Sequence, residues 1–191
     1  MIQIYAIFAH DKKDSLNGSI FQQATEYLKE KHEIAVDSLY LYDRALEIPF
    51  YTHNKNQLET NPFFAENKER FMAADRLLIV HPVYWYSVPA ILKCWIDLIT
   101  NFAYKYESGL YAKPLHKITK TLIINTSMAP SWYYKYFTCN TQMRQLNETF
   151  KFFGIPKNDF YQLGDIAKLT NKKYINHIKK ILKKVDNLIS D

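Results

Sequence analysis

Short apolar runs alternate with segments of helical periodicity along most of the chain, and this alternation limits the fold more than any other feature. The strand-like runs are Ile2–Phe8, Glu33–Leu39, Leu77–Val80, Thr121–Thr126 and Asp159–Leu163. Strands separated by helices need crossover connections and pair in parallel, so that the helices cover both faces of the sheet. The sequence therefore predicts one α/β domain over residues 1–191, a three-layer doubly wound fold around a five-stranded parallel sheet.

The segments between the runs supply the predicted helices. The first helix follows the first strand, where Ser15 or Asn17 is placed to cap it. Four further helices are predicted. The first covers Phe64–Ala74, and the second begins after a cap at Ser87 with Pro89 in its first turn. The third covers Thr141–Phe153 and ends before Gly154, and the last follows the apolar stripe from Tyr174 to Ile189. Residues Tyr40–Pro62 show no regular period, and a loop of this length in a compact domain is more often functional than accidental.

The charge balance is basic. Twenty-five Lys and Arg oppose 19 Asp and Glu, which gives a formal net charge of +6. This balance suits an anionic ligand, namely a nucleotide phosphate, a nucleic acid or a membrane surface, and selects none of them. The lysines near the C-terminus are interpreted as the solvated face of the last helix, so no nucleic-acid partner is expected.

The cysteines and the apolar segments exclude further kinds of protein. Cys94 and Cys139 are far apart and form no CxxC pair, which argues against a disulfide framework and against a zinc site, so no metal is expected. The first residues lack the basic region of a signal peptide, and Lys93 and Asp97 interrupt the one long apolar region. The expected location is the cytoplasm.

Doubly wound sheets bind ligands beyond the carboxyl ends of their strands, so the loops after the first, third and fourth strands are the candidate sites. The loop AHDKKDSLNGS follows the first strand. The N–H groups of the next helix, with Ser15 and Asn17 nearby, form an anion site to which His10 is placed to donate. The same residues are explained equally well as helix caps and strand-end surface, and the loop lacks the glycines of a Walker A or GxGxxG turn.

The loop after the third strand, HPVYWYSVPAILKCWID, holds an aromatic triplet between two prolines. Tyr84, Trp85 and Tyr86 stand where a strand-to-helix turn is usually short and polar. Either these rings cap the core, or they form a stacking platform for a planar ligand.

Three segments together resemble the flavodoxin-like NAD(P)H:quinone oxidoreductases. They are YAIFAH with SLN, HPVYWYSVPAILKCWID, and FAYKYESGLYAKPL, and the resemblance runs from Ile2 to about Phe153. The sequence is most similar to the short bacterial branch, which includes ancillary oxidoreductases of glutathione-gated potassium efflux systems. The resemblance implies the strand order 2-1-3-4-5, a flavin cofactor and a homodimer with the flavin at the subunit interface. FMN is expected rather than FAD, because no obvious C-terminal extension is present to cover an adenine.

The resemblance also assigns roles to residues. His10, Ser15, Leu16 and Asn17 would hold the phosphate and ribityl chain, and Pro82, Val83, Tyr84, Trp85 and Tyr86 would line the ring. Family members carry a Thr-Gly-Gly type sequence near the pyrimidine side of the flavin, where this chain reads Thr126, Ser127, Met128, Ala129 and Pro130. Position 84 carries Tyr where many relatives carry Gln. Tyr133, or its neighbour Tyr134, would lie over the nicotinamide or quinone, which makes Tyr133 the catalytic candidate.

The expected reaction is a two-step hydride exchange. NADPH or NADH reduces the flavin at N5 and leaves, and a quinone or similar planar acceptor then takes the hydride. Two alternatives remain, a regulatory flavoprotein subunit of a membrane transporter and a flavodoxin-type electron carrier, although the net charge of +6 argues against a carrier that docks on basic partners. The aromatic residues predicted to surround one flat ring are Tyr84, Trp85, Tyr86, Tyr104, Tyr106, Trp132, Tyr133 and Tyr134.

Overall fold

The structure is a computed structural model that describes residues 1–52, 58–106 and 112–190. The strands are β1 (Ile2–Phe8), β2 (Ile34–Tyr40), β3 (Arg76–Pro82), β4 (Tyr104–Tyr106), β5 (Ala112–Pro114), β6 (Lys120–Thr126) and β7 (Lys157–Leu163). The helices are α1 (Leu16–Lys29), α2 (Pro62–Ala73), α3 (Ala90–Ile99), α4 (Ser131–Phe137), α5 (Thr141–Phe152) and α6 (Asn171–Ile189). Two short 3₁₀ turns cover Leu41–Arg44 and Ile166–Lys168.

The main sheet is parallel and has the order β2-β1-β3-β6-β7. Strands β4 and β5 form a separate antiparallel hairpin, so the five main strands follow the predicted order 2-1-3-4-5, and the predicted fold class is confirmed. The chain first moves outward from β1 to β2 and then crosses back to β3. The carboxyl ends of β1 and β3 therefore flank the topological switch point, where doubly wound folds bind their ligands.

Alternation along the strands divides the core into two layers. Tyr5, Ile79 and Ile123 face one layer, which α2, α3 and α5 cover with residues such as Phe71, Trp95 and Phe150. The intervening residues face the other layer, which α1 and α6 cover. Because both faces of β1, β3 and β6 are buried, only the ends of these strands are open to a ligand.

Several details of the predicted elements are wrong. Helix α3 begins at Ala90 after Pro89 with no side-chain cap, because Ser87 instead pairs with Tyr84 in a tight turn. Of the two predicted caps of α1, Ser15 is confirmed, and Asn17 lies inside the helix. Residues 131–137, for which the sequence predicts no helix, form α4. The Tyr40–Pro62 segment contains the Leu41–Arg44 turn, and its residues 53–57 lie outside the described part of the chain.

Candidate active site

The loops after β1, β3 and β6 leave the sheet at neighbouring points of its carboxyl edge. Ala9 N donates to the carbonyl of Val80 at 3.0 Å, and Val83 N donates to the carbonyl of Thr126 at 2.8 Å. The hydrogen bonds of the sheet thus continue one residue past the strands and hold the three loop starts side by side. The structure therefore brings the three loops predicted as candidate sites to one edge of the sheet. Residues 107–111 of the segment FAYKYESGLYAKPL lie outside the described part of the chain.

The loop after β1 folds tightly over the first turn of α1. His10 Nδ1 accepts from Lys12 N at 2.9 Å, and Ser15 Oγ donates to the Lys12 carbonyl at 2.7 Å while it accepts from Gly18 N at 3.1 Å. An added Cβ at Gly18 would lie 1.7 Å from the Lys13 carbonyl oxygen, so only glycine allows this approach.

The first N–H groups of α1 remain available to a ligand. Within the described residues, the N–H groups of Leu16 and Asn17 have no hydrogen-bond partner, as expected for the first turn of a helix. His10 lies beside this turn with Asp11 3.0 Å from its Nδ1. The helix end therefore has the free donors and the positive dipole end that an anion such as a phosphate requires.

The side chain of Asn17 has a different role from the one predicted. It is buried, and its Nδ2 donates to Thr126 Oγ1 at 2.9 Å while Thr126 Oγ1 lies 3.2 Å from Asn17 Oδ1. The amide is therefore engaged with the end of β6 rather than open to a ligand. The pair Asn17 and Thr126 thus joins the first turn of α1 to the end of β6.

The aromatic triplet after β3 forms a strained two-residue turn. Tyr84 N donates to the Ser87 carbonyl at 3.0 Å, and Ser87 N donates back at 2.9 Å, so Trp85 and Tyr86 are the central residues. Their φ angles are +48° and +63°, the type I′ geometry for which proteins usually use Asn-Gly. Each bulky residue in this region costs on the order of 1–3 kcal/mol, and Trp85 is 93% exposed, so packing of its ring does not offset the cost.

The turn presents backbone donors at the carboxyl edge. In the parts of the chain that the structure describes, the N–H groups of Trp85 and Tyr86 make no hydrogen bond. The Val83 N–H is taken by Thr126, and the Pro82 carbonyl accepts from His81 Nδ1 at 2.8 Å. Local strain combined with free donors is the pattern expected where a ligand completes the structure.

A group of aromatic rings continues from this turn onto α4. Tyr86 and Tyr133 have their hydroxyl oxygens 3.4 Å apart, and the Tyr86 ring lies 6.0 Å from that of Tyr134. The hydrogen bond with Tyr86 raises the pKa of Tyr133, and burial raises the pKa of Tyr134. Trp132 and Phe137 extend the same group on the exposed side of α4.

Tyr104 and Tyr106 lie elsewhere. Both are on β4, where the Tyr104 ring stacks on Phe153 at 5.9 Å and packs edge-on against Phe152. Burial and the neighbouring Tyr106 raise the pKa of Tyr104 to about 12. No ring contact among the described residues joins this pair to the group on α4, so the prediction of one aromatic set is wrong within a single chain.

The segment after β6 bends sharply before α4. Ser127 is buried and its Oγ donates to the Ala129 carbonyl at 2.9 Å, whereas Met128 is 67% exposed. The N–H groups of Met128 and Ala129 have no partner among residues 1–52, 58–106 and 112–190. Two more backbone donors are thus free at the same edge.

Three buried polar residues near this edge escaped the sequence analysis. His81 and Asn125 are opposite each other on β3 and β6 and are fully buried, and Gln142 is buried in the first turn of α5, on the same face of the sheet. His81 Nε2 and both amide atoms of Asn125 and of Gln142 lack a partner among the described groups. Burial lowers the pKa of His81 to about 4, so the ring is neutral at pH 7. The signal in the sequence was a polar residue at the end of each apolar run.

Other kinds of site find no support in the described part of the chain. No group of three or more His, Cys, Asp or Glu side chains there is placed to hold a metal ion. Cys94 and Cys139 are both free thiols. Among the helices of residues 1–52, 58–106 and 112–190, none has the length and apolar character needed to cross a bilayer.

A doubly wound sheet with a ligand edge at its switch point defines the broad class, and comparison with known proteins gives the family. The profile of the family described as having a flavodoxin-like fold matches residues 3–187, and the chain belongs to that family. An FMN-dependent NADH-azoreductase from Bacillus anthracis, solved with FMN, superposes with a TM-score of 0.82 over 100% of both chains. At 20% identity this likeness shows the shared fold.

Curated relatives are oxidoreductases by name. An uncharacterized NAD(P)H oxidoreductase of Haemophilus influenzae is 26% identical over 176 residues, which cover 87% of this chain and 85% of that protein. The ribosyldihydronicotinamide dehydrogenase [quinone] of Rattus norvegicus is 29% identical over 146 residues, 62% of each chain. A dehydrogenase-like relative from Penicillium crustosum is 28% identical over 56% of this chain, and the match covers only 47% of that protein.

Proposed function

We propose that this protein is a flavin-dependent NAD(P)H:quinone oxidoreductase that transfers hydride in two steps. The observation that carries the proposal is the strained Trp85–Tyr86 turn, whose two free N–H groups lie at the switch point of a flavodoxin-like sheet. The names of the Haemophilus and rat relatives supply the reaction class, NAD(P)H oxidation with a quinone acceptor. A tight turn with unpaired donors beside exposed rings has little use in the fold itself and suits a flat cofactor with polar edges.

The free donors fit the parts of a flavin mononucleotide. We assign the phosphate to the N-terminus of α1, where Leu16 and Asn17 have free N–H groups and His10 lies nearby. The turn at Trp85 and Tyr86 provides aromatic faces and N–H donors for the ring. When bound, the flavin supplies hydride acceptance and donation at N5, chemistry that no side chain of this site offers.

The segment after β6 completes the assignment. We assign the N–H groups of Met128 and Ala129, which are free in the described structure, as donors to the pyrimidine carbonyls. Pro130 has no N–H and directs the chain into α4, which begins at Ser131. Thr126 and Ser127 are buried, so we assign them to holding this segment and not to direct contact with the cofactor.

Tyr133 is proposed to position the nicotinamide or the quinone. Its hydroxyl lies 3.4 Å from that of Tyr86. A phenol, whose ordinary pKa is about 10, is protonated at neutral pH, and the hydrogen bond with Tyr86 raises the pKa of Tyr133 further. A protonated hydroxyl donates a hydrogen bond to a carbonyl oxygen as negative charge develops there during hydride transfer.

The cofactor and assembly are part of the same proposal. FMN is favoured over FAD, in line with the FMN of the Bacillus azoreductase. A homodimer is favoured because Trp132, Tyr136 and Phe137 are exposed together on α4, more apolar ring surface than a lone soluble helix usually shows. A cytoplasmic location and a membrane-transporter partner stay predictions from the sequence.

NAD(P)H oxidation by the purified protein tests the proposal. With added FMN and menadione, and with no protein partner, we expect steady turnover and one bound flavin per chain. Tyr133→Phe is expected to lower kcat/KM roughly fivefold by removing one hydrogen bond to the developing charge. The control Tyr136→Phe removes the hydroxyl of an exposed tyrosine of α4 and keeps its ring, and it is expected to leave turnover unchanged. Flavin binding with reduction only by an added redox protein would support the electron-carrier alternative instead, and a protein that takes up neither FMN nor FAD would contradict both.

A further inference from the structure

The segment that follows β6 rests directly on Gly164, the first residue after β7. An added Cβ at Gly164 would lie 2.4 Å from Ser131 N and 2.8 Å from both Ala129 O and Pro130 C. All three are backbone atoms, which cannot rotate aside as the end of a flexible side chain does. Any side chain at position 164 must therefore displace the segment.

Hydrogen bonds from the end of β7 hold the same segment in place. They are Ser127 N to Leu163 O at 3.0 Å, Asp165 N to Ala129 O at 3.1 Å, Ile166 N to Ser127 O at 3.3 Å, and Ser131 Oγ to Gln162 O at 3.2 Å. Asp165, whose N–H donates to the Ala129 carbonyl, adopts φ +57° in the left-handed region. The two segments are therefore joined on both sides of Gly164, and the contact there sets the distance between them.

This arrangement fixes Met128 while leaving it exposed. Its two neighbours in the chain are bonded to the end of β7, Ser127 through its N–H and Ala129 through its carbonyl. Met128 is 67% exposed, and the N–H groups of Met128 and Ala129 are free in the described structure. A rigidly held loop with unpaired donors is better suited to a ligand than a mobile one, because less ordering entropy is lost on binding.

We propose that Gly164 is a positioning residue for the flavin. Its missing side chain lets the segment from Ser127 to Pro130 settle against β7, which sets where the N–H groups of Met128 and Ala129 meet the pyrimidine side of the cofactor. The inference rests on the proposed function, since it assumes a flavin at this edge.

Gly164→Ala in the full-length protein is the test, with Gly154→Ala as the matched control. An added Cβ at Gly154 would also clash, at 2.7 Å from the Pro114 side chain, and Gly154 has φ +93°, so both variants lose stability. Of these two glycines, Gly164 contacts the segment after β6 and Gly154 does not. We expect Gly164→Ala to raise the Kd for FMN roughly tenfold. At saturating FMN it should also shift the midpoint potential of the bound flavin to a more negative value, because displaced donors stabilise the reduced, negatively charged ring less well.

The potential separates positioning from a general loss of stability, since Gly154→Ala is expected to leave both the Kd and the potential at wild-type values. If Gly164→Ala does not fold, Ser131→Ala removes only the hydrogen bond to the Gln162 carbonyl and is expected to weaken FMN binding about threefold, again with a negative shift in potential. If Gly164→Ala binds FMN with the wild-type Kd and midpoint potential, the proposed role of Gly164 is wrong, and the proposed function is unaffected. The same conclusion follows from Ser131→Ala if Gly164→Ala does not fold. A wild-type protein that binds no flavin would overturn the proposed function and this inference with it.

Discussion

The two edges of the parallel sheet end in opposite ways. At the amino edge, the polar groups of Asp75 and Arg76 at the start of β3 are paired. Asp75 accepts from Gln3 N at 2.8 Å, its own N–H donates to the Gln3 carbonyl at 2.8 Å, and Lys117 lies 2.9 Å from its carboxylate. Arg76 donates to the Leu188 carbonyl at the end of α6. These bonds tie β1, β3 and α6 together and use the edge for stability.

At the carboxyl edge, polar groups are left unpaired and the backbone is strained. Trp85 and Tyr86 have positive φ, their N–H groups are free, and His81 and Asn125 have buried atoms without described partners. Such features destabilise a fold, and they are concentrated at the edge where doubly wound sheets bind ligands. The paired groups around Asp75 stabilise the fold, whereas the free N–H groups and positive φ angles of the Trp85–Tyr86 turn do not, and the following variants test whether the turn is kept for ligand binding.

The largest expected effect comes from replacing both residues of the strained Trp85–Tyr86 turn. In Trp85→Asn/Tyr86→Gly the turn receives the residues that type I′ geometry prefers, so the free energy of unfolding is expected to rise by about 1–2 kcal/mol. NAD(P)H turnover is expected to fall roughly 100-fold, because the rings that position the reactants are gone. Urea unfolding and steady-state kinetics measure the two quantities.

Phe50→Asn is the control for this variant, because Phe50 is another large exposed ring and makes no described ring contact with Tyr86 or with α4. It is expected to change neither stability nor turnover. A double variant with wild-type turnover would show that the strained turn does not serve catalysis.

The pH dependence of the unfolding free energy tests whether the buried His81 ring is neutral. Burial lowers the pKa of His81 to about 4, below the unfolded value near 6.5, so the unfolded state binds the proton first and stability is lost as the pH falls from about 6.5 to 4. The expected loss is roughly 3 kcal/mol. Urea unfolding of wild type and His81→Gln at pH 7 and pH 4.5 isolates this contribution, since the lowered pKa values of His116 and His177 are common to both proteins. Equal losses in the two proteins would contradict the buried neutral ring.

A change at the amino edge should act on stability alone. Asp75→Ala removes the acceptor for Gln3 N and the partner of Lys117, and the expected cost is about 2 kcal/mol of unfolding free energy. The Kd for FMN should remain at the wild-type value, because none of these bonds reaches the carboxyl edge. Weakened FMN binding in a variant that is still folded would break the separation between the two edges.

The smallest effect is expected at the cap of α1. Ser15→Ala removes the acceptor for Gly18 N and should lower stability by about 1 kcal/mol. Asn61 caps α2 in the same way, since its Oδ1 accepts from Phe64 N at 2.9 Å, and Asn61→Ala is therefore the matched control. Both should lose similar stability, and only Ser15→Ala should weaken FMN binding. Equal FMN affinities would place the phosphate away from α1.

Much of the fold was predictable because buried strands leave a direct trace in the sequence. The runs that became β1, β3 and β6 are continuous apolar segments, as expected for strands covered on both faces. Helix α4 was missed, because SWYYKYF shows no polar and apolar alternation at helical spacing. The hairpin of β4 and β5 was missed because its strands are only three residues long.

The candidate site was predictable in place but not in geometry. The loops could be located from strand order, and the triplet Tyr84, Trp85 and Tyr86 from its unusual composition. Positive φ at Trp85 and Tyr86 had no signal, since neither residue favours that conformation and the turn is held by its surroundings. The contact of Gly164 with the segment after β6 depends on how the backbone bends after β6 and β7, which the predicted strand order does not specify.

Hydrogen–deuterium exchange of the full chain with and without FMN tests the contrast between the edges most directly. Binding is expected to slow exchange in residues 10–19, 83–88 and 127–131, where free N–H groups gain partners, and to leave residues 74–77 and 116–120 at the amino edge unchanged. Protection confined to the carboxyl edge would confirm that its unpaired donors receive the cofactor. Protection at the amino edge, with none at the Trp85–Tyr86 turn, would contradict the account.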